Sequence, residues 1–459
     1  MSPPTGTILF ASLPEAGLIN PLLVLAAELS RRGVRDLWFA TDEPRRDEVE
    51  ATSAAFASLG EVIPELSAVS WDDKVYREVT RGSRFRAHRA VLRQSYRPDL
   101  AMAKYRQLEA VVDKVNPAVM VIDSETRFAI TLATARRIPY VLSVPFVPSH
   151  VLAPYTPLAR SYVPRGFPAP HSGLPYDMSF TQRMSNRLFK LRCLAMLFDP
   201  GLARAFRADI ALYAELGLPR QSQMTRVDLA ELVLCQSVPE LDYSIEVPEK
   251  VRLVGAMIPP LPQAPDPELA GWLDAHSSVI YVGLGTITRL TRPEVASLVE
   301  VARRLEGAHH VLWKLPAGQH HLLPPSLPGN LRIESWVPSQ VDVLAHPNVR
   351  AFVSHGGSNG FHEGLYFGKP QVVRPLWVDC YDQAVRGQGL GVSLTLDHPQ
   401  TIDPDDVTAK LTRVLDDPSF RHRAERLAAR QRAAGGRAAA ADLVLGLPTL
   451  NHYRSFPSQ

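Results

Sequence analysis

The stretch Phe352-Val353-Ser354-His355-Gly356-Gly357-Ser358-Asn359-Gly360-Phe361-His362-Glu363-Gly364-Leu365-Tyr366-Phe367-Gly368-Lys369-Pro370 decides the fold. An apolar run ends at Ser354, two glycines make a turn, and helical spacing begins near Ser358. Backbone N–H groups at such a helix start point outward, and the helix dipole there favours an anion. His355 can donate to a phosphate oxygen as well. Glu363 lies four residues beyond Asn359, so both share one helix face. A carboxylate there can accept two ribose hydroxyls. Gly368-Lys369-Pro370 ends the helix before the next strand. The plain alternative is an ordinary strand–turn–helix with scattered polar residues; His, Gly, Asn, Glu and Pro together at these offsets favour the functional reading.

Outward from this unit the same alternation continues. Val279–Leu284, Val311–Lys314, Leu331–Trp336, Val349–Val353, Gln371–Val373 and Val392–Leu396 read as strands, and Pro404–Leu445 as almost all helix. Upstream, Thr7–Leu13, Leu37–Ala40, Val119–Asp123, Tyr140–Val144, Leu232–Cys235 and Val251–Val254 are strands, with helices over Ile19–Arg32 and Glu125–Arg136. Strands apolar throughout and alternating with helices predict parallel sheets covered on both faces. Residues 145–175 are rich in Pro, Ser and His, and 177–217 read as one long basic amphipathic helix. Ile258–Pro267 holds five prolines and serves as linker. The expected organisation is an N-terminal domain over 1–257, the linker 258–267, a second domain over 268–430, and a C-terminal helix and tail over 431–459 that pack back on the first domain. Two doubly wound α/β domains then face one cleft, the default ligand site.

Composition narrows the function. Of 459 residues, 46% are hydrophobic and 21% charged, normal for a globular protein, and a net charge of +3 gives no basic stripe for nucleic acid. Cys193, Cys235 and Cys380 lie far apart, so neither a disulfide framework nor a zinc site is expected, and a reducing, cytoplasmic setting fits. No metal-ligand cluster is evident and no cofactor is expected. The first apolar run lacks a basic n-region and is broken by Pro14, so it reads as a strand rather than a signal peptide. No stretch reaches the ~18 apolar residues needed to span a bilayer, and the polar tail Asn451–Gln459 speaks against a membrane anchor. The basic stretch Arg183–Arg207 has two readings: a weak contact with a membrane surface, or a helix that covers a pocket and shows its arginines to water. The latter is favoured.

Trp336-Val337-Pro338-Ser339-Gln340, the His355–Pro370 stretch, and Pro375-Leu376-Trp377-Val378-Asp379-Cys380-Tyr381-Asp382-Gln383 together resemble the signature of the GT-B-fold UDP-glycosyltransferases, which glycosylate small lipophilic molecules. The resemblance implies a UDP-sugar donor, or a dTDP-sugar, as co-substrate. It implies Trp336 stacked under the uracil, Gln340 on the base edge, His355, Gly357, Ser358 and Asn359 around the diphosphate, and Glu363 on the ribose. Asp379 matches the family's sugar-binding Asp, while Cys380 replaces its Gln; Asp382-Gln383 forms a second Asp-Gln pair, and Gln383 is expected to compensate. Thr286, in Gly283-Leu284-Gly285-Thr286, is similar to the family's Gly-Ser/Thr turn facing the diphosphate.

One expected residue is missing. The family's base is a His after the first strand, and here Leu18 stands in its place within Glu15-Ala16-Gly17-Leu18-Ile19-Asn20-Pro21. Leucine accepts no proton. Asp123 occupies the place of the Asp that orients that His. Asp123 or Glu15 acting directly, His150 entering from the loop after Val144, an acceptor that needs little base, and lost catalysis are the open readings. Asp123 also reads as a plain helix cap. The expected function is inverting transfer of a hexose to a small apolar acceptor such as a natural product, sterol or lipid, by a monomer or homodimer. The rivals are a nucleotide-sugar epimerase and a non-catalytic partner protein. The apolar residues Phe128, Phe146, Val147, Val151 and Leu152, expected near the cleft, favour an acceptor pocket over an epimerase.

Overall fold

The computed structural model describes residues 6–218 and 224–452. The upstream apolar runs form β1 (Ile8–Ala11), β2 (Leu37–Thr41), β4 (Val119–Asp123), β5 (Tyr140–Val144), β6 (Leu232–Cys235) and β7 (Val251–Leu253). β3 (Ala55–Ser58) joins them at one edge; it is short, half-exposed and rich in alanine, which carries little strand signal. All pair in parallel in the order β3-β2-β1-β4-β5-β6-β7. Every residue of β1, β4 and β5 is buried, because helices cover both faces.

The second sheet holds β8 (Val279–Gly283), β9 (His310–Lys314), β10 (Leu331–Glu334), β11 (Val349–Ser354), β12 (Gln371–Val373) and β13 (Ser393–Thr395), parallel in the order β10-β9-β8-β11-β12-β13. The fold is therefore α/β with two Rossmann-like sheets, as the alternation predicts. In each sheet the winding reverses beside its first strand, between β1 and β4 and between β8 and β11. Crevices at the carboxyl ends of such strands hold the ligands of doubly wound sheets. Glu15 follows β1, Asp123 ends β4, Gly285 follows β8 and His355 follows β11, so four of the singled-out residues stand at the two switch points.

Residues 177–217 depart from the single long helix expected. Asp199-Pro200 divides them into Phe180–Ala195 and Pro200–Glu215. Asp199 accepts from the amides of Gly201 and Leu202, which no longer have carbonyls to bond, and pairs with Arg89 and Arg93. Phe189 and Cys193 of the first helix are buried, while Phe180, Leu188, Leu191 and Phe198 face solvent among the arginines. The C-terminal run is almost all helix, as read, in three pieces, Pro404–Asp416, Pro418–Ala433 and Gly436–Leu445, parted by Asp417-Pro418 and by Gly435 at φ +91°. Gly436–Leu445 lies against the helix Ala16–Arg31. Ala440, Ala441, Val444 and Leu450 share one core with Ile8, Ile19, Leu22 and Leu29 of the first sheet's layer. The polar tail beyond His452 lies outside the described residues. No helix among them is long and apolar enough to cross a membrane.

Candidate active site

His355 is held by glycines. A Cβ on Gly285 would fall 2.6 Å from its Cε1, and one on Gly357 2.2 Å from its Nε2, so the imidazole fits only because both positions lack a side chain. Gly285 also takes φ +80°. The ring's Nδ1 is buried with no partner, and burial, with the Lys314 charge adding, holds its pKa down to about 4. A neutral ring near pH 7 still carries one N–H to donate. Beside it the helix Ser358–Tyr366 begins with Gly357 as its N-cap and no side chain capping its first amides. Thr286 sits exposed on the neighbouring turn.

Glu363 is aimed by its neighbours. Gln340 Nε2 donates to Glu363 Oε2 at 2.7 Å, and Tyr281 Oη donates to Gln340 Oε1 at 3.3 Å. Gln340 thus orients Glu363, and its second N–H and second oxygen lone pair remain for a ligand. Ser339, one residue earlier, caps the helix Gln340–Ala345 by accepting from the Asp342 amide. Burial raises the Glu363 carboxyl, against the Gln340 bond and the Lys314 charge. Trp336 is 64% exposed and so is no core aromatic. Lys314 Nζ stands 5.1 Å from its ring centroid. Lys314 was not singled out from sequence; its signal is a lone cation at the carboxyl end of a strand, next to the first strand of the second sheet.

The sugar-side residues are divided by the structure. Ser358 Oγ donates to the Pro145 carbonyl at 2.5 Å and accepts from Gln383 Nε2 at 3.2 Å. Its hydroxyl therefore joins the two domains instead of facing a phosphate. Asn359 Nδ2 reaches the Ala16 carbonyl at 3.4 Å. Asp382 accepts from the amides of His171 (2.6 Å) and Gly173 (2.9 Å), so it clamps the loop of the first domain and is not the free acid of a second sugar-binding pair. Gln383 keeps a buried, unpartnered Oε1. Asp379 opens the helix Asp379–Gly389, and burial pushes its carboxyl up to about 7, with the nearby Asp382 charge adding. Its preceding residue, Val378, has φ +32°, a costly conformation for a β-branched residue and one found at ligand sites. Asp379, Asp382 and Gln383 line a narrow cavity between the domains with Phe146, Val147 and His150. Phe128, Val151 and Leu152 instead belong to the first sheet's core, which corrects their placement at the cleft.

On the facing side, Asp123 is fully buried and its oxygens are occupied. Oδ1 accepts from the amides of Glu125 (2.8 Å) and Thr126 (3.1 Å); Oδ2 accepts from the Leu13 amide (3.1 Å) and the Thr126 hydroxyl. The reading of Asp123 as a direct base is corrected accordingly: it ties β4's end to the start of the helix Arg127–Ala135 and to the turn after β1. Glu125, unread from sequence, pairs with Arg226 at 3.2 Å. His150 stacks on Phe146 with ring centroids 4.0 Å apart, and burial holds its pKa down to about 4. Leu18 lies in the first turn of the helix Ala16–Arg31. Glu15, the N-cap of that helix, differs from all of these: both its carboxylate oxygens are buried without a hydrogen-bond partner.

Two Rossmann-like parallel sheets facing one cleft, each with its switch point beside its first strand, have the GT-B architecture. Among solved structures the chain is similar to the glycotransferase of kitacinnamycin, with TM-score 0.71 and 24% identity over 97% of this chain and 99% of that one. It is similar also to CalG4, the calicheamicin glycosyltransferase, with TM-score 0.67 and 21% identity over 99% and 100%. The family described as UDP-glucoronosyl and UDP-glucosyl transferase matches residues 67–432, and the chain belongs to that family. Rat UDP-glucuronosyltransferase 2B15 is 27% identical over 301 residues, 64% of this chain and 53% of the relative. Human UDP-glucuronosyltransferase 2B7 is 27% identical over 304 residues, 64% and 54%. The match thus spans about half the length of these curated relatives.

Proposed function

We propose that the protein transfers a hexose from a UDP-sugar to a small lipophilic acceptor, with inversion at the anomeric carbon. The observation that carries this reading is the joint placement, beyond β8 and β11, of a glycine-wedged His355, an uncapped helix start and an oriented Glu363, with Lys314 linking them to the exposed Trp336 ring. Trp336 offers a face for the uracil and Glu363 accepts the ribose hydroxyls. The amides after Gly357, with His355, Asn359 and Thr286, hold the diphosphate and stabilise charge as it leaves. Lys314 adds a positive charge close by. Asp379 and the free Oε1 of Gln383 face the sugar hydroxyls. Family membership supports UDP over dTDP.

Thermal unfolding in the presence of UDP, dTDP, GDP, ADP and UDP-sugars tests the donor site. A ligand at ~100 times its Kd adds about 2.7 kcal/mol to stability. Selective stabilisation by UDP compounds is expected; no response to any nucleotide would move a non-catalytic partner protein to first place. Trp336→Ala is expected to weaken UDP binding by about 1–3 kcal/mol, the range for a base stacked on an aromatic ring. It should leave the unliganded melting temperature unchanged, because the ring is mostly in water. Calorimetric titration of both proteins with UDP reads the difference, and equal affinities would remove Trp336 from the site.

A further inference from the structure

The geometry points to Glu15 as the residue that takes the acceptor's proton. This rests on the transfer reading above and names the base that Leu18 leaves missing. Each other group near the first sheet's switch point is engaged or ill suited. Asp123 has four donors on its two oxygens. Glu125 is paired with Arg226. The His150 ring is packed on Phe146 and is a weak proton acceptor at neutral pH. Glu15 alone among them holds two buried carboxylate oxygens with no partner in hydrogen-bond geometry. Buried polar atoms without partners are rare and call for an explanation; an acceptor hydroxyl supplies one.

Its position fits the reaction. Glu15 follows β1 at the carboxyl end of the sheet, and the carbonyl of the next residue, Ala16, accepts from Asn359 in the first turn of the donor-side helix. The carboxylate is thus carried on the segment of the first domain that touches the diphosphate turn. In the step proposed, the acceptor's O–H gives its proton to a Glu15 oxygen. The acceptor oxygen bonds to the anomeric carbon, and that carbon's bond to the diphosphate oxygen breaks, with the electron pair leaving on UDP. Glu15 becomes the neutral acid and releases its proton to solvent before the next turnover.

Burial pushes the Glu15 carboxyl up to about 7, opposed by the nearby Ser67 hydroxyl and Glu15's own amide and aided by the charges of Asp123 and Asp42. The Ser67 hydroxyl stands close enough to act on the charge, yet outside the geometry of a hydrogen bond to either oxygen. Asp42 is itself paired with Lys104 at 2.7 Å. The base acts only when ionised, so kcat/KM should rise with pH through about 7 and level off above it. The test is Glu15→Gln with UDP-glucose and aryl alcohols graded in acidity from 2-naphthol to 4-nitrophenol. The expected result is a loss of about 100-fold or more in kcat with 2-naphthol and no ascending pH limb. UDP affinity should be unchanged, and the loss far smaller with 4-nitrophenol, which is already ionised near neutrality. Unchanged transfer to 2-naphthol overturns the proposal. So does an equal loss across the series, which marks a structural role. If wild-type protein binds no UDP, the transfer reading itself fails, and that outcome is seen before any variant is made.

Discussion

Gly357→Ala is expected to reduce kcat by about 100-fold or more and to weaken UDP binding while leaving the fold intact. The backbone is not the reason. Gly357 has φ −61° and ψ 142°, a conformation that any residue adopts, and an Ala for Gly at an N-cap costs no more than about 1 kcal/mol. The reason is the 2.2 Å separation between the new methyl carbon and His355 Nε2. The ring must leave, and Gly285 hems it from the other side, where even a Cβ would fall 2.6 Å from Cε1. Losing one preorganised donor to a developing anion costs about 10²–10³ in rate. Gly389→Ala is the control, since nothing lies within 4 Å of where its methyl would stand. Steady-state rates and UDP titration of the two variants decide it. Should Gly357→Ala keep wild-type affinity and rate, His355 does not belong to the donor seat.

Lys104→Met should destabilise the first domain by about 3–5 kcal/mol, the usual result of stripping the partner from a buried charge. Lys104 and Asp42 are 3% and 4% exposed. The ammonium donates to Asp42 Oδ1 (2.7 Å) and to the carbonyls of Leu59 (2.6 Å) and Glu61 (2.7 Å), which fastens the edge of the first sheet to the helix Pro98–Val115. Adding Asp42→Asn should recover part of the loss, because the amide needs no counter-ion. Urea unfolding must be followed with a probe of the first domain, since a two-domain chain need not melt in one step. A neutral change in stability would show that the pair is not as closely held as its distances state.

How much of this was legible in the sequence depends on which physical signal each residue carries. Buried parallel strands are apolar on both faces, so β4, β5, β6 and β12 were bounded from sequence to the residue. β3 overlaps the short run Ala54–Ala57, where alanine outweighs the β-branched and aromatic residues that mark a strand. The break at Asp199-Pro200 was written in the chain, since proline opens helices and aspartate caps them, but the basic periodicity on either side hid it. The donor motif gave the positions of His355, Asn359 and Glu363. It could not give the partners, because these come from distant segments. Ser358 is taken by Pro145 and Asp382 by the amides of His171 and Gly173, and Gln340 bonds Glu363. Asp123 and Glu15 looked alike as acids near the first sheet's switch point. Only the hydrogen bonds made to each separate them: four donors bond Asp123, and none meets hydrogen-bond geometry at Glu15.

The helix Gly436–Leu445 has a consequence for how the chain is made. Its Ala440, Ala441 and Val444, with Leu450 beyond them, complete a core whose other members, Ile8, Ile19 and Leu22, are synthesised long before it. Ribosomes add ~5–20 residues per second, so the apolar flank of the helix Ala16–Arg31 stays open for on the order of 20–90 s while the second sheet is built. Folding in order of synthesis can finish the second domain before the first. A nascent chain stalled short of Gly436 presents Ile19, Leu22 and Leu29 to whatever chaperone or neighbour is at hand.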